Sequence, residues 1–295
     1  MPTAEPMTAT ALLLAAGLCG FLAGVVVNLL ADYLPARRYH LLARRSPFAS
    51  VKPAAPTFIP RRADRSPWPV PVWSGTVAAL LGAPAFHPAT RWRRALVECG
   101  LALAFAGLAA AHGGSPSLIF YLFYACGLIL IVVTDVERRW IMAEATWALA
   151  VAALAESALV GRVAFGDALA GGALGLVILM ALVVGGVAFA ALARVATGRR
   201  IGRTVMGGGD GRLAAAGGLI LGPGAIGPAL LVAILAGGIG AAVFVALRLI
   251  RKGGYRRFSA IPYGPYLALG IALTLYAPAF TFGLLLGVIR IIRGG

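Results

Sequence analysis

The sequence predicts an all-α fold, a polytopic membrane bundle of about eight transmembrane helices. Three observations predict it. Of 295 residues, 60% are hydrophobic and 12% charged, against about half and about a quarter in a soluble domain. Apolar runs long enough to cross roughly 30 Å of hydrocarbon recur along the whole chain. No run alternates polar and apolar residues with period two, which excludes a membrane β-barrel. The predicted unit is a single membrane-embedded domain over 1–295, with a basic, Pro-rich cytoplasmic loop at 36–94.

The apolar runs fall at about 8–31, 95–112, 116–134, 144–161 and 168–194. A longer run at 213–247 is broken by LGPGAIGP (221–228) and reads as two spans joined by a Pro/Gly turn. A last run covers about 260–288. The first run follows Glu5 and precedes Arg37 and Arg38. That order is the reverse of a secretory signal's charge pattern, so a retained span with its N-terminus outside is expected.

The formal charge of +16 would suggest a nucleic-acid partner in a soluble protein. Here membrane topology accounts for it, and no nucleic-acid partner is predicted. Of the 26 basic residues, 23 fall in four alternate loops, including 11 between Arg37 and Arg94. The positive-inside rule places those loops in the cytoplasm. Arg290 and Arg293 fit only if the tail turns back near Pro278 or lies in the interface. The first loop, rich in Pro and Arg over VKPAAPTFIPRRADRSPWPVPVWSG, reads as an irregular mini-domain, an amphipathic piece from Trp73 to Leu81, or little fixed structure, and its simplest role is a basic surface lying on anionic lipid headgroups. Cys19, Cys99 and Cys126 sit singly within apolar runs, so neither a disulfide framework nor a zinc site is predicted.

Acids in such a chain are costly and mark candidate sites. Asp135 ends the third span, in LILIVVTDVERRW. Asp210 opens the sixth, in RTVMGGGDGRLAAAGG. The topology puts both at cytoplasmic helix ends. Two close carboxylates share one proton, so that one activates water while the other protonates the scissile carbonyl or leaving group. Gly207, Gly208 and Gly209 leave room for substrate backbone or a neighbouring helix beside Asp210. Taken singly, Asp135 also reads as an interfacial charge beside Arg138 and Arg139, and Asp210 as a helix-start acid. Glu98, Glu156 and Asp32 are further acids in or near spans, Glu156 without a visible partner.

Together these residues resemble the type IV prepilin peptidase family, the GxGD-type membrane aspartyl proteases. Gly207-Gly208-Gly209-Asp210-Gly211-Arg212-Leu213 is similar to the family's GxGDxKL, with Arg212 in place of Lys. Thr134-Asp135-Val136-Glu137-Arg138-Arg139-Trp140-Ile141 is similar to its other catalytic segment. GFLAGVVVNLLADYLP (20–35), with Asn28 and Leu34-Pro35, resembles the opening helix. RWRRALVECGLALAF (91–105), with Glu98, resembles the helix after the cytoplasmic loop. IPYGPYLALG (261–270) resembles the final helix. The resemblance implies Asp135 and Asp210 as the catalytic pair, with Gly207, Gly208, Gly209, Arg212 and Glu98 as supporting or substrate-binding residues.

It implies prepilin-like or pseudopilin-like substrates, no cofactor, and a cytoplasmic (inner) membrane location with the site facing the cytoplasm. Two departures stand out. Met142-Ala143 replaces the Pro-Asp or Pro-Asn that follows Ile in the family, and the first loop lacks the two CxxC pairs of bifunctional members. The first leaves open a chain that binds pilin-like clients without cutting them. The second makes no zinc, and no N-methyltransferase activity, the expectation. A small proton-coupled transporter is disfavoured, because the acids lie at one membrane edge rather than at the midplane.

Overall fold

In the computed structural model, the described residues are 6–45, 56–60, 66–82, 88–197, 207–250 and 262–292. Their regular structure is helical throughout: α1 (Pro6–Arg45), a 3-10 turn (Val70–Trp73), α2 (Gly75–Leu80), α3 (Pro88–His112), α4 (Leu118–Arg138), α5 (Ala143–Leu159), α6 (Phe165–Thr197), α7 (Gly208–Leu221), α8 (Pro223–Ile250), α9 (Gly264–Tyr276) and α10 (Pro278–Ile292). The all-α membrane fold read from the sequence is the fold observed. Among the described residues five helices are long and apolar enough to cross a membrane: α1, α3, α4, α6 and α8. The α9–α10 pair makes a sixth if it is one broken span. Helices α5 and α7, at 17 and 14 residues, match expected apolar runs but fall short of that length. The chain divides into two compact units, Met1–Thr134 and Asp135–Gly295.

In the first unit α1 packs along α3. Small residues permit the close approach: a side chain at Gly20 would strike Phe105, and one at Gly24 the Glu98 backbone. The 40 residues of α1 measure about 60 Å, far more than a bilayer needs. The helix therefore runs ten residues into the expected loop 36–94, and α3 enters it from the other end at Pro88. Between them, residues 66–82 form a small folded piece on α3, while 46–55, 61–65 and 83–87 of the expected loop lie outside the described residues.

Glu98 organises that piece. Its carboxylate, fully buried, accepts from Ser74 Oγ (2.6 Å), Gly75 N–H (2.8 Å), Thr76 N–H (3.0 Å) and Asn28 Nδ2 (3.2 Å). The two amides belong to the start of α2, where unpaired N–H groups and the helix dipole favour an anion. Ser74 also caps α2 by accepting from the Val77 N–H at 3.1 Å. Next to it, the buried Arg94 pairs with Asp32 and donates to the Trp73 carbonyl at 2.9 Å.

In the second unit glycine again sets the spacing. Gly171, Gly172 and Gly175 of α6 meet Gly218, Leu219 and Ala214 of α7 almost backbone to backbone. Gly222 ends α7 at φ 78°, a left-handed conformation that glycine adopts without strain, and Pro223 opens α8. This is the Pro/Gly break expected at 221–228. The final run does not continue straight: α9 and α10 meet at 110°, with Pro278 opening the second piece, the place where the tail was expected to turn if it turned at all.

Glu156 corrects the sequence reading, which gave it no visible partner. Arg162 grips it with two parallel bonds of 2.7 and 2.8 Å and also donates to the Ile220 carbonyl at 2.7 Å. The turn at Gly161, φ 71°, folds the chain back so that the loop arginine reaches the helix it has just left.

Candidate functional site

Four chain segments of the second unit converge on the two aspartates. Asp135 lies near the end of α4, which closes at Arg138; Arg139 then takes φ 55°, the left-handed residue that commonly terminates a helix. Its N–H returns to the Asp135 carbonyl at 2.8 Å. This tight stop turns Trp140 and Ile141 back beside the aspartate. Met142 is wholly buried and stands immediately before α5 with φ −67° and ψ 131°. That φ lies in the range a proline would fix, so the backbone ahead of α5 is extended without a proline.

Asp210 sits in the first turn of α7, ahead of the apolar run that opens at Leu213. Its Oδ2 accepts from the Gly207 N–H at 3.0 Å, while its own N–H donates to the Gly207 carbonyl at 3.0 Å. The carboxylate thus satisfies an unpaired donor at the start of α7, as a capping-box acid does. The glycines around it differ in what they allow. A side chain at Gly209 would lie 2.8 Å from Ile141 Cβ, whereas Gly208 faces open space. Close packing requires glycine at 209, while at 208 a side chain would meet none of the described residues.

A segment that sequence reasoning did not assign to the site completes it. The Gly264 N–H, at the start of α9, donates to Asp135 Oδ2 at 2.9 Å. The preceding Tyr263 lies near enough to Asp210 for that carboxylate's charge to act on its phenol; burial first, then Asp210, push the Tyr263 hydroxyl up from its ordinary value. The signal was present as a glycine and a proline opening the apolar run of IPYGPYLALG, but nothing local pointed to Asp135, 129 residues away.

Both aspartates are largely buried, Asp135 at 6% and Asp210 at 8% exposure. Asp210 is raised from the ordinary 3.8 to about 6, first by burial and then by the negative charge of Asp135, against the pull of the Gly207 N–H. A carboxyl pair in which one member holds its proton near neutral pH can both accept a proton from water and give one to a leaving group.

The other expected site residues fall in different places. Gly207, Gly208 and Gly209 lie beside Asp210. Arg212, half-buried, stands in the next turn of α7 with its Nε unpartnered. Glu98 belongs to the first unit, where its carboxylate holds the 66–82 piece. Among the described residues no cluster of three or more His, Cys, Asp or Glu has a metal-binding arrangement.

Comparison with known proteins places part of this geometry in a family. The model of the type IV leader peptidase family matches residues 122–244, a stretch that contains both aspartates and stops short of Gly264. No curated protein and no solved structure matches the chain. Residues 122–244 of this multi-pass membrane protein are thus similar to the type IV leader peptidase family, a family of peptidases.

Proposed function

We propose that the protein is a membrane aspartic endopeptidase that removes the leader of prepilin-like or pseudopilin-like substrates at the cytoplasmic face of the cytoplasmic membrane. One observation carries the reading: two buried carboxylates, Asp135 and Asp210, lie at helix ends within the matched family segment, and burial first, then the charge of Asp135, favours the proton on Asp210. Asp135 takes a proton from water, and the resulting hydroxide equivalent adds to the scissile carbonyl. Asp210 donates to the departing amine, and the pair returns to its one-proton state. Gly209, closed against Ile141, keeps α7 tight to the α4–α5 turn, while the open face at Gly208 leaves room for an extended substrate backbone. Met142 preserves the proline-like backbone at the start of α5, which favours cutting over client binding alone.

The test is cleavage of a prepilin-like substrate by the wild type, Asp135→Asn and Asp210→Asn, each confirmed folded. Asn keeps shape and hydrogen bonding but cannot trade the proton. An active wild type with both variants reduced by at least about 10³-fold is the expected result. A wild type that binds several such substrates and cuts none would transfer the reading to client binding.

A further inference from the structure

Gly264 stands outside the family-matched segment, in a conformation that does not itself call for glycine. Its φ is not positive, so any residue could adopt the backbone. What excludes a side chain is space: a Cβ there would lie 2.7 Å from Asp135 Oδ2, 3.0 Å from its Cγ and 3.1 Å from Ile141 Cδ1. The same residue donates its N–H to that same oxygen at 2.9 Å. Asp210 is held in a parallel way, with its Oδ2 on the Gly207 N–H. Each aspartate therefore has Oδ2 tied to the amide of a glycine at a helix start.

The two glycines are not equivalent. At Gly207 a Cβ would sit at an ordinary 3.8 Å from Asp210 Oδ2, so that amide needs no missing side chain. At Gly264 the contact is too close for one. The start of α9 is itself well anchored. The Tyr263 ring packs on Gly237 of α8, Tyr266 on Gly240, and Gly270 lies against the Ala229 backbone. An amide on such a fixed support can define where a carboxylate points, and displacement of a reacting group by even 1 Å is costly to rate.

We infer that Gly264 is a positioning residue for Asp135: its N–H holds one carboxylate oxygen, and its missing side chain leaves that oxygen the room to be held. This rests on Asp135 being one of the two reacting carboxylates, and the experiment separates the two claims. In full-length enzyme in detergent, Gly264→Ala lowers kcat on a prepilin-like substrate by on the order of 10²-fold while KM stays within about 3-fold. The added methyl also crowds Ile141, so the pair Gly264→Ala with Ile141→Val relieves packing and leaves the Asp135 conflict. It keeps the kcat loss, and it substitutes for the single variant should that fail to fold. Recovery of kcat in the pair, or a rise in KM alone, overturns the inference.

A second readout needs no turnover. Gly264→Ala lowers the thermal midpoint of the wild-type chain by more than it lowers that of Asp135→Ala, where the oxygen it displaces is gone. Equal losses in the two backgrounds overturn the positioning role. A wild type that does not cleave, together with unequal losses, would reject the peptidase reading and keep the contact.

Discussion

The difference between Gly208 and Gly209 shows how much can turn on a single methyl group. Ala at 209 drives Cβ into Ile141 and separates α7 from the turn that carries Asp135, so Gly209→Ala is expected to cost about 1–3 kcal/mol and most of the activity. Ala at 208 meets none of the described residues and removes a flexible residue from a helix start. Gly208→Ala should stabilise the fold by roughly 0.5–1 kcal/mol, read as a higher thermal midpoint. Thermal unfolding of both variants in one detergent checks the contrast, and equal shifts would contradict the packing argument.

Asp210 makes a second prediction at this scale. Its folded value, about 6, lies above the ordinary 3.8. The favourable contribution of the protonated form is therefore complete below about pH 4 and is lost as pH rises through 6. Asp210→Asn should raise the thermal midpoint at pH 7 and change it little at pH 4. A larger gain at the acid end would mean that burial does not oppose ionisation there. A buried site carboxyl whose ionised form weakens the fold is the usual trade between stability and activity.

At the scale of elements, two joints decide the architecture around the aspartates. Gly222 turns α7 into α8 at φ 78° with Val163 close by. Gly222→Ala should cost about 1–2 kcal/mol, read as a lower thermal midpoint. In the first unit the Glu98 carboxylate carries four hydrogen bonds from two segments, Asn28 of α1 and Ser74 to Thr76 at the start of α2. Glu98→Ala leaves buried donors unmet, at a cost of about 1–3 kcal/mol, and releases the 66–82 piece. Limited proteolysis should then cut within 66–82, where the wild type resists. Unchanged protection would assign the docking of that piece to Arg94 and Asp32 instead.

The loop between Arg37 and Arg94 holds no cysteine, and the Glu98 clamp holds its described part in place. A buried carboxylate at a helix start can fold a short segment that a metal would otherwise staple, because the anion satisfies several amides at once. The helices on either side are longer than the bilayer requires, and this gives the segment a rigid surface to fold against.

At the scale of the whole molecule, charge distribution is the dominant feature. The 23 basic residues of the alternate loops orient the chain in the proposed reading and hold its cytoplasmic side on anionic lipid. Neutralising Arg37, Arg38, Arg44 and Arg45 should slow turnover in vesicles containing anionic lipid and leave turnover in detergent nearly unchanged. An equal fall in both would move those arginines from the lipid to the substrate.

Composition and hydropathy determined the fold class, because a helix that crosses a bilayer must satisfy its own backbone and face lipid with apolar side chains, a constraint that a linear sequence records directly. The helix breaks at 221–228 and Pro278 were legible for the same local reason, since Gly and Pro act on their own backbone. Asp135 and Asp210 were legible because acids are rare in such a chain and each lies in a distinctive segment.

Only the tertiary structure decided what each acid touches. Glu156 appeared solitary until the Gly161 turn brought Arg162 back to it. Glu98 stood in the sequence with no visible donors until the fold brought it four, from Asn28 and the start of α2. Gly264 appeared to be no more than a helix start until α9 placed its amide on Asp135. Periodicity and composition are written along the chain, whereas a hydrogen bond spanning 129 residues exists only once packed helices bring its two ends together.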